Sequence, residues 1–360
     1  MRTKSYLLGF ICIVATTLLI IIFGDQRPDI QSIVTETHKQ LKNNIQTFKE
    51  NLKVAEEKKL TADDKYLNFL GFVPNPRLYP LSVWTNTTLP VIVSYLCDGD
   101  IDQGIGLTRN IGHFLPNHTL LLYNLGLRRY DLQMILSYCN SSRCIVMDFD
   151  LSDFPSHVND QHLHAFRPLV IQDALNHAGA VFFIENNLRL STSNIAPLIN
   201  KAVGNGKKHG SGIITWRTQH AVTSLTHPRM FNYFRTSDES FLFLPMVEST
   251  KLLIYNTEAI HSDVMLPWIQ CCLIHDCILP IGAQSGGCRF DKKPQYRYSG
   301  CHSYDAAALN IVLGLKFGLD DTHYAVENSD QYFHTVTPTL AAEELVRIQE
   351  NSTDSFTVDS

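Results

Sequence analysis

The chain has 360 residues, of which 44% are hydrophobic, and it carries a formal net charge of −5. This charge excludes a broad basic surface of the kind that nucleic-acid-binding proteins use, so no nucleic-acid partner is predicted. The hydrophobic content is ordinary for a globular domain, and the length leaves room for one large core beside shorter segments.

The first long apolar segment covers residues 5–24 and contains no charged side chain. About 20 apolar residues span the ~30 Å hydrocarbon layer of a bilayer as one helix. A cleaved signal peptide is the alternative, but its apolar region is usually shorter, at about 7–15 residues. We therefore predict a signal anchor at 5–24. Residues 1–4 become a cytoplasmic tail, because Arg2 and Lys4 precede the apolar run.

Two features beyond this segment agree with a lumenal or extracellular location. Four N-x-S/T sequons, the acceptors of N-glycosylation, occur at Asn86, Asn117, Asn140 and Asn351. Cysteines beyond the anchor are even in number, which predicts disulfides in an oxidising compartment: Cys97, Cys139, Cys144, Cys271, Cys272, Cys277, Cys288 and Cys301. Cys139 and Cys144 can close a small loop, and the later ones are expected to pair in part among themselves. Zinc is less favoured, because no paired C-x-x-C knuckles occur.

Residues 25–87 are predicted to form a stalk and linker that ends in a proline-containing passage. The segment 25–65 is polar, and its apolar residues fit an imperfect heptad seam: Val34, Leu41, Ile45, Phe48 and Leu52. Two interpretations stay open, a solvated helical stalk and a weak coiled coil. The coiled coil would make the protein a homodimer.

Between residues 88 and 335, apolar strands alternate with helical patterns. The predicted strands are 90–96, 119–123, 144–149, 180–184, 212–216 and 251–255. The predicted helices are 103–114, 128–138, 161–178, 197–203, 258–276 and 303–317. This pattern predicts an α/β fold with a Rossmann-like, mostly parallel sheet covered by helices on both faces. Residues 336–360 are predicted to be a polar tail that is ordered only in part.

Ligands of open α/β sheets bind at the carboxyl ends of the strands, so the residues that follow each strand are the first candidates for a site. Two acidic clusters there compete for a divalent metal, because Mg²⁺ and Mn²⁺ prefer carboxylate oxygens. Asp148 and Asp150 form a D-x-D sequence after the third strand. Glu185 and Asn187 follow the fourth strand, which is the better position with the weaker ligands.

Four stretches of the chain resemble a nematode-rich family of uncharacterised, glycosyltransferase-like membrane proteins, the domain of unknown function 1647. They are Phe149–Val158, Phe166–Gln172, Leu266–Gln270 and Gly300–Asn310. The order of strands and helices is similar to the glycosyltransferase A fold, and the last stretch is similar to a helix of glycosyltransferase family 8. The resemblance covers about residues 88–320.

The resemblance implies a role for each matching position. Glu185 and Asn187 fall where such enzymes bind a divalent cation, Mn²⁺ or Mg²⁺, and Arg167 falls where a basic residue contacts the donor diphosphate. Two further sets complete the implied site. Asp98 and Asp100 would lie near the nucleotide base, and Asp305 and Asn310 would face the sugar or the acceptor, with Asp305 and Glu185 as the catalytic pair.

Together these features predict a type II membrane glycosyltransferase of the Golgi or endoplasmic reticulum lumen, with the cell surface left open. It would move a sugar from a nucleotide-sugar donor to a glycan, protein or lipid. The chain departs from the transferase pattern in having Glu-Asn-Asn at 185–187 in place of Asp-x-Asp. This departure favours an alternative, a non-catalytic binding or scaffold protein on the same fold.

Overall fold

The computed structural model describes residues 14–18, 39–40, 42, 60–72, 89–204, 210–291 and 294–357. The chain divides into two compact units, Met1–Lys58 and Lys59–Ser360. The described residues of the first unit are helical and exposed. Most of the predicted anchor and heptad seam lies outside the described residues, and within them no helix is long and apolar enough to cross a bilayer.

The second unit is built on a central sheet and a small strand pair. The strands are Val91–Leu96 (β1), Leu120–Asn124 (β2), Cys144–Asp148 (β3), Ala180–Ile184 (β4), Leu188–Leu190 (β5), Ile213–Ala221 (β6), Pro245–Val247 (β7), Lys251–Tyr255 (β8), Ala325–Val326 (β9) and Phe333–Thr335 (β10). The central sheet has the order β3-β2-β1-β4-β8-β6-β7, and β9 pairs with β6. The separate pair joins β5 to β10 in antiparallel register.

Strand direction confirms a mostly parallel sheet. β3, β2, β1 and β4 are parallel neighbours. β8 runs antiparallel to both β4 and β6, so β6 points in the same direction as β4. Only β8 and β7 among the described strands of this sheet point the opposite way. The carboxyl ends of β1, β2, β3, β4 and β6 therefore share one edge, which we call the carboxyl edge.

Helices follow most strands. They are Asp64–Phe69 (α1), Ile101–Phe114 (α2), Arg129–Tyr138 (α3), Arg167–Ala178 (α4), Ala196–Val203 (α5), Pro228–Tyr233 (α6), Glu258–Ile260 (α7), Leu266–Leu273 (α8), His275–Ile278 (α9), Tyr304–Lys316 (α10) and Pro338–Thr357 (α11). A π-helical turn, His261–Met265, joins α7 to α8.

Both faces of the sheet are buried, as predicted. Alternating residues of a strand enter two different apolar clusters, because successive side chains point to opposite faces. Tyr95 and Phe183 pack in the larger cluster with α4, α8 and α10. Phe182 and Leu96 pack in the second with α2, α3 and α5. Strands that are buried on both sides explain the continuous apolar runs in the sequence.

Most predicted elements match the observed ones closely. The helix predicted over 258–276 is divided into α7, the π-helical turn, α8 and part of α9, and α6 was not predicted. The helix predicted from 161 begins at Arg167, because Pro168 suits the first turn of a helix and not its interior. β6 continues to Ala221, beyond the predicted end at 216. The short strands β5, β7, β9 and β10 were not predicted, because two or three residues carry too little periodicity.

The compact unit also includes residues outside the predicted domain boundaries of 88 and 335. Leu67 and Leu70, in and after α1, are buried in the larger cluster. The predicted polar tail contains α11, which packs against α2. Its Glu344 forms an ion pair of 3.1 Å with the buried Arg189 of β5.

Three disulfides join six of the eight candidate cysteines. Cys139–Cys144 closes the predicted small loop, and Cys271–Cys277 and Cys288–Cys301 lie within the predicted cluster. The two others, Cys97 and Cys272, are free and buried. For these two the prediction is wrong, since Cys97 is enclosed at the end of β1 and Cys272 within α8.

Candidate ligand site at the carboxyl edge of the sheet

The strand order reverses between β1 and β4. The chain first adds β2 and then β3 on one side of β1, and β4 then takes the other side of β1. Open α/β sheets bind ligands in the crevice outside such a switch point. Two turns border this crevice, 97–100 after β1 and 185–187 after β4.

The turn after β1 presents two carboxylates. Gly99 has a φ of 93°, which a side chain would strain, and the Cys97 amide donates a 2.9 Å hydrogen bond to Asp100 Oδ2. Burial raises the pKa of Asp100, against hydrogen bonds from Cys97 and Asn186 that lower it. Asp98 is exposed and pairs with Arg128 at 2.9 Å. Asp98 is therefore the more accessible carboxylate of this turn.

The turn after β4 holds Glu185, Asn186 and Asn187. The Asn186 amide group donates a 3.2 Å hydrogen bond to the Tyr95 carbonyl, which fastens this turn to β1. Asn187 is half-buried, and its Oδ1 has no hydrogen-bond partner among the described residues. The structure thus brings the predicted residues Asp98, Asp100, Glu185 and Asn187 to one crevice.

Behind the crevice lies a buried ion cluster, the Arg167 triad, made of Arg167, Glu185 and Asp305. Arg167 Nη2 lies 2.8 Å from Glu185 Oε1, and its Nη1 contacts Asp305 and donates to Ser249 at 2.8 Å. The three side chains come from the start of α4, the end of β4 and the first turn of α10. Their residues are 2%, 7% and 1% exposed, so water screens these charges little.

Electrostatics keeps Arg167 and Glu185 ionised. Burial alone raises the pKa of Glu185, but the Arg167 guanidinium and the Tyr95 hydroxyl, which donates to Oε1 at 2.5 Å, lower it below its usual value. Burial lowers the pKa of Arg167, and the two carboxylates more than offset this, so its pKa is well above its ordinary value. Both terminal nitrogens of Arg167 are thus engaged by carboxyl groups within the triad.

The arrangement does not fit a divalent cation at Glu185 as it stands. The Glu185 oxygen that faces the triad is occupied by Arg167 and Tyr95. No group of three His, Cys, Asp or Glu residues within the described parts of the chain is placed to hold a metal. A cation at Glu185 and Asn187 would lie beside the Arg167 guanidinium and share Glu185 with it, so no chemical step below is assigned to a metal.

Two buried polar atoms at the triad lack partners among the described residues: Arg167 Nε and His164 Nδ1. His164 lies three residues before Arg167 and has a φ of 50°, an uncommon conformation for a residue other than glycine. Burial and the charge of Arg167 both lower the pKa of His164. Because buried polar groups usually find a hydrogen-bond partner, these atoms and Asn187 Oδ1 are left to be satisfied by a water molecule or a ligand.

Asn310 has a different place from the one that the sequence predicted. It is fully buried in α10, where Oδ1 accepts from the Val247 amide and Nδ2 donates to the Val247 and Ala306 carbonyls, all at 2.8 Å. With these atoms occupied, Asn310 fastens α10 to β7, and we correct its assignment from donor binding to structure.

The two aspartates of the D-x-D sequence at the end of β3 form hydrogen bonds with groups of the protein itself. Asp148 accepts a 2.7 Å hydrogen bond from Asn124, and Asp150 accepts one of 2.8 Å from the Ser152 amide at the start of a 3₁₀ turn. Phe149, between them, is buried in the larger cluster. The two carboxylates line a shallow cavity of about 360 Å³ beside β2 and β3, away from the switch point.

Sequence reasoning missed Tyr95, Ser249 and His164. Tyr95 stands inside an apolar strand, where an aromatic residue is ordinarily interpreted as core. Ser249 and His164 lie in connecting segments with no recognisable pattern. Of these three residues, only Tyr95 could have been recognised from the sequence, because its ring carries a polar hydroxyl and lies one residue before the end of the apolar strand β1.

Residues 65–172 match a family model described as a protein of unknown function, DUF1647. The match covers 108 of the 360 residues, from α1 through β3 to the middle of α4, and it includes two of the four stretches that resemble this family, Phe149–Val158 and Phe166–Gln172. No match is found among the curated proteins.

Several solved structures are similar at low sequence identity. The mannosyltransferase Ktr4p of S. cerevisiae has 11% identity and a TM-score of 0.41, with 79% of this chain and 80% of that chain covered. The WbbM bifunctional glycosyltransferase has 11% identity and a TM-score of 0.41, and the match covers 63% of this chain and 37% of that one. Mouse xyloside xylosyltransferase 1 has 10% identity and a TM-score of 0.36, with coverages of 66% and 84%. TM-scores this low do not establish a shared fold or activity.

Proposed function

We propose that the chain is a glycosyltransferase that binds a nucleotide sugar in the crevice between β1 and β4 and transfers the sugar to a glycan, protein or lipid. The observation that carries this proposal is the switch point itself, with polar side chains on both turns and unpartnered polar atoms beneath them. The resemblance of the four sequence stretches to glycosyltransferase-like proteins supplies the chemical class.

The residues have distinct parts in this proposal. The carboxylates of Asp98 and Asp100 accept hydrogen bonds from the base or the ribose hydroxyls of the donor. Asn187 contacts the diphosphate or sugar through its amide. Arg167 uses its unpartnered Nε–H toward the developing negative charge of the leaving diphosphate, because a fixed donor in a dry site stabilises such charge well. Glu185 and Asp305 hold Arg167 in position.

Donor binding tests the proposal. Calorimetric titration of the full chain with a panel of UDP- and GDP-sugars is expected to show saturable binding by at least one donor. Asn187→Leu is expected to weaken that binding about tenfold, since it removes a polar contact at the ligand. Asp276→Asn, an exposed change on α9, serves as the control and should bind as the wild type does. Absence of binding across the whole panel, with Mn²⁺ present, would contradict the proposal.

The divalent cation predicted at Glu185 and Asn187 is a separate proposal, and the same titration tests it. Binding of the donor is measured in Mn²⁺, in Mg²⁺ and in EDTA. A loss of donor affinity in EDTA supports a divalent cation at this site. Equal affinity in all three solutions contradicts it.

A second candidate, a non-catalytic binding or scaffold protein, is favoured by one observation. Arg167 already occupies Glu185, the residue that stands where the resemblance implies a metal ligand. Hydrolysis of a bound sugar nucleotide decides between the two candidates. Turnover that Glu185→Gln abolishes, in a variant that remains folded, would contradict the scaffold, whereas donor binding without turnover would favour it.

We also propose that residues 5–24 anchor the protein in a Golgi or endoplasmic reticulum membrane, or at the cell surface, with 59–360 on the lumenal or outer side. The stalk is proposed to be a helix that joins two copies. Asn117 and Asn140 are exposed sequons in the described residues. Glycosidase treatment of the expressed chain is expected to increase its gel mobility, and Asn117→Gln with Asn140→Gln should reduce that shift. A chain that carries no glycan and leaves membranes at alkaline pH would contradict this topology.

A further inference from the structure

A second opening lies at the carboxyl edge, beside the end of β6. It is a cavity of about 830 Å³, which falls within the roughly 300–1,000 Å³ of small-molecule sites. Its walls include Asp238, Glu239, Tyr296, Arg297 and Tyr298, and we call it the tyrosine cavity. None of these residues belongs to the crevice between β1 and β4.

The wall that carries the tyrosines is fixed to the sheet. The Thr223 hydroxyl donates a 2.5 Å hydrogen bond to the Tyr296 carbonyl, directly after β6. The Ser299 amide and hydroxyl both donate to the Ser224 carbonyl, at 2.9 and 2.7 Å. The Cys288–Cys301 disulfide closes the same loop. These bonds hold this wall of the cavity in a fixed position against the sheet.

The tyrosine cavity lies close to the Arg167 triad along the chain. Asp305 lies seven positions after Tyr298 in the sequence, and an extended chain of that length reaches at most about 25 Å. β6 points in the same direction as β4, so its carboxyl end and the crevice share one edge of the sheet. A molecule of a few rings in the tyrosine cavity can therefore extend toward the crevice.

The chemistry of the lining suits a carbohydrate. Tyr296 and Tyr298 are half-buried, and the ring of Phe243, 81% exposed, lies 5.4 Å from the Tyr296 ring. Such rings offer flat apolar faces to the C–H side of a sugar. Within the described residues Asp238, Glu239 and Arg297 make no ion pair or side-chain hydrogen bond, so their polar atoms are available to hydroxyl groups.

Charge narrows the class of ligand. The three charged side chains of the tyrosine cavity sum to −1, which disfavours sulfated or carboxylated sugars. We infer that the tyrosine cavity binds a neutral oligosaccharide and presents it to the crevice as the acceptor of the transferred sugar. Its role as an acceptor rests on the proposed function, whereas binding of the oligosaccharide does not.

The experiment measures binding of three neutral disaccharides, N-acetyllactosamine, chitobiose and mannobiose, to the full chain by saturation-transfer NMR and calorimetry. The detergent is zwitterionic and free of sugar. At least one disaccharide is expected to bind, and Tyr296→Ala and the double variant Asp238→Asn, Glu239→Gln should each weaken it about tenfold. Tyr130→Ala, an exposed tyrosine on α3, is the matched control and should have no effect. Thermal midpoints verify that each variant is folded.

Three results would overturn the inference. The first is that none of the three disaccharides binds. The second is that one binds but Tyr296→Ala and the double variant leave its affinity unchanged. The third is that a heparin disaccharide or a short peptide, measured in parallel, binds more tightly than the neutral disaccharides. Titration of the same variants with the sugar nucleotide separates this inference from the proposed function. Donor binding without disaccharide binding contradicts the tyrosine cavity alone, and disaccharide binding without donor binding contradicts the proposed function alone.

Discussion

Arg167→Met is expected to lower the free energy of unfolding by about 3–5 kcal/mol, the usual cost of removing one partner of a buried ion pair. The variant leaves Glu185 and Asp305 as two buried carboxylates with no counter-charge. Their mutual repulsion and lost solvation then oppose folding. Denaturant unfolding followed by tryptophan fluorescence measures the change, since Trp216 and Trp268 are fully buried reporters.

Arg128→Met is the matched control for this substitution. Arg128 also contacts two carboxylates, Asp98 and Asp131, but its side chain is 69% exposed. Exposed ion pairs contribute little, so this variant should unfold almost as the wild type does. Adding Glu185→Gln to Arg167→Met removes one uncompensated charge and should recover part of the loss. Equal stability of Arg167→Met and wild type would show that the triad is not ionised.

Proton uptake by His302 alone is expected to lower the free energy of unfolding by about 3 kcal/mol as the pH falls from about 6.5 to 4. His302 is 2% exposed, and burial lowers its pKa to about 4. Its Nε2 lies 3.1 Å from the Ile278 carbonyl and therefore carries the proton, while Nδ1 accepts from the His227 amide at 3.1 Å. Protonation of Nδ1 would break the second bond.

The sign follows from proton uptake. Between these pH values the unfolded chain, with an ordinary histidine pKa near 6.5, binds a proton that the folded chain does not bind, so acid favours unfolding. Burial lowers the pKa of His261 to about 4 as well, so it adds a dependence of the same sign. His302→Asn keeps an acceptor near the His227 amide and should reduce the slope by about 1.4 kcal/mol per pH unit.

His113→Asn, on the exposed side of α2, is the control for the histidine prediction and should leave the slope unchanged. The measurement is a series of unfolding curves between pH 4 and 7. If His302→Asn has the same pH slope as the wild type, His302 is protonated in the folded chain, contrary to its hydrogen bonds.

Most of the sheet was predictable, because strands buried on both faces carry uninterrupted apolar runs. β4 and β8 were predicted to the residue. β5 and β10 were not, because each has only three residues and the two strands pair with one another across a long stretch of sequence. Local patterns contain no information about such pairing. The same is true of α11, whose polar sequence resembles that of a solvated tail.

For the candidate site, the sequence indicated which residues lie close together in the fold, but it did not indicate which side chains contact one another. Glu185, Asp98 and Asp100 follow strands that end at the same edge, so their proximity follows from strand direction. The contact between Arg167 and Asp305 depends on how α4 and α10 pack, which only the folded chain reveals. Asn310 shows the same limit, because a buried amide that binds backbone is indistinguishable in sequence from one that binds a ligand.

The pairing of β5 with β10 has a consequence for biosynthesis. During translation β5 leaves the ribosome long before residues 333–335 exist, so a nascent chain exposes its unpaired edge and the buried side of Arg189 until β10 and α11 have also been made. A premature stop codon anywhere before residue 333 removes β10 and α11 together. Such truncated products are expected to be retained by chaperones and degraded, even those that end after residue 305 and so contain every residue of the Arg167 triad.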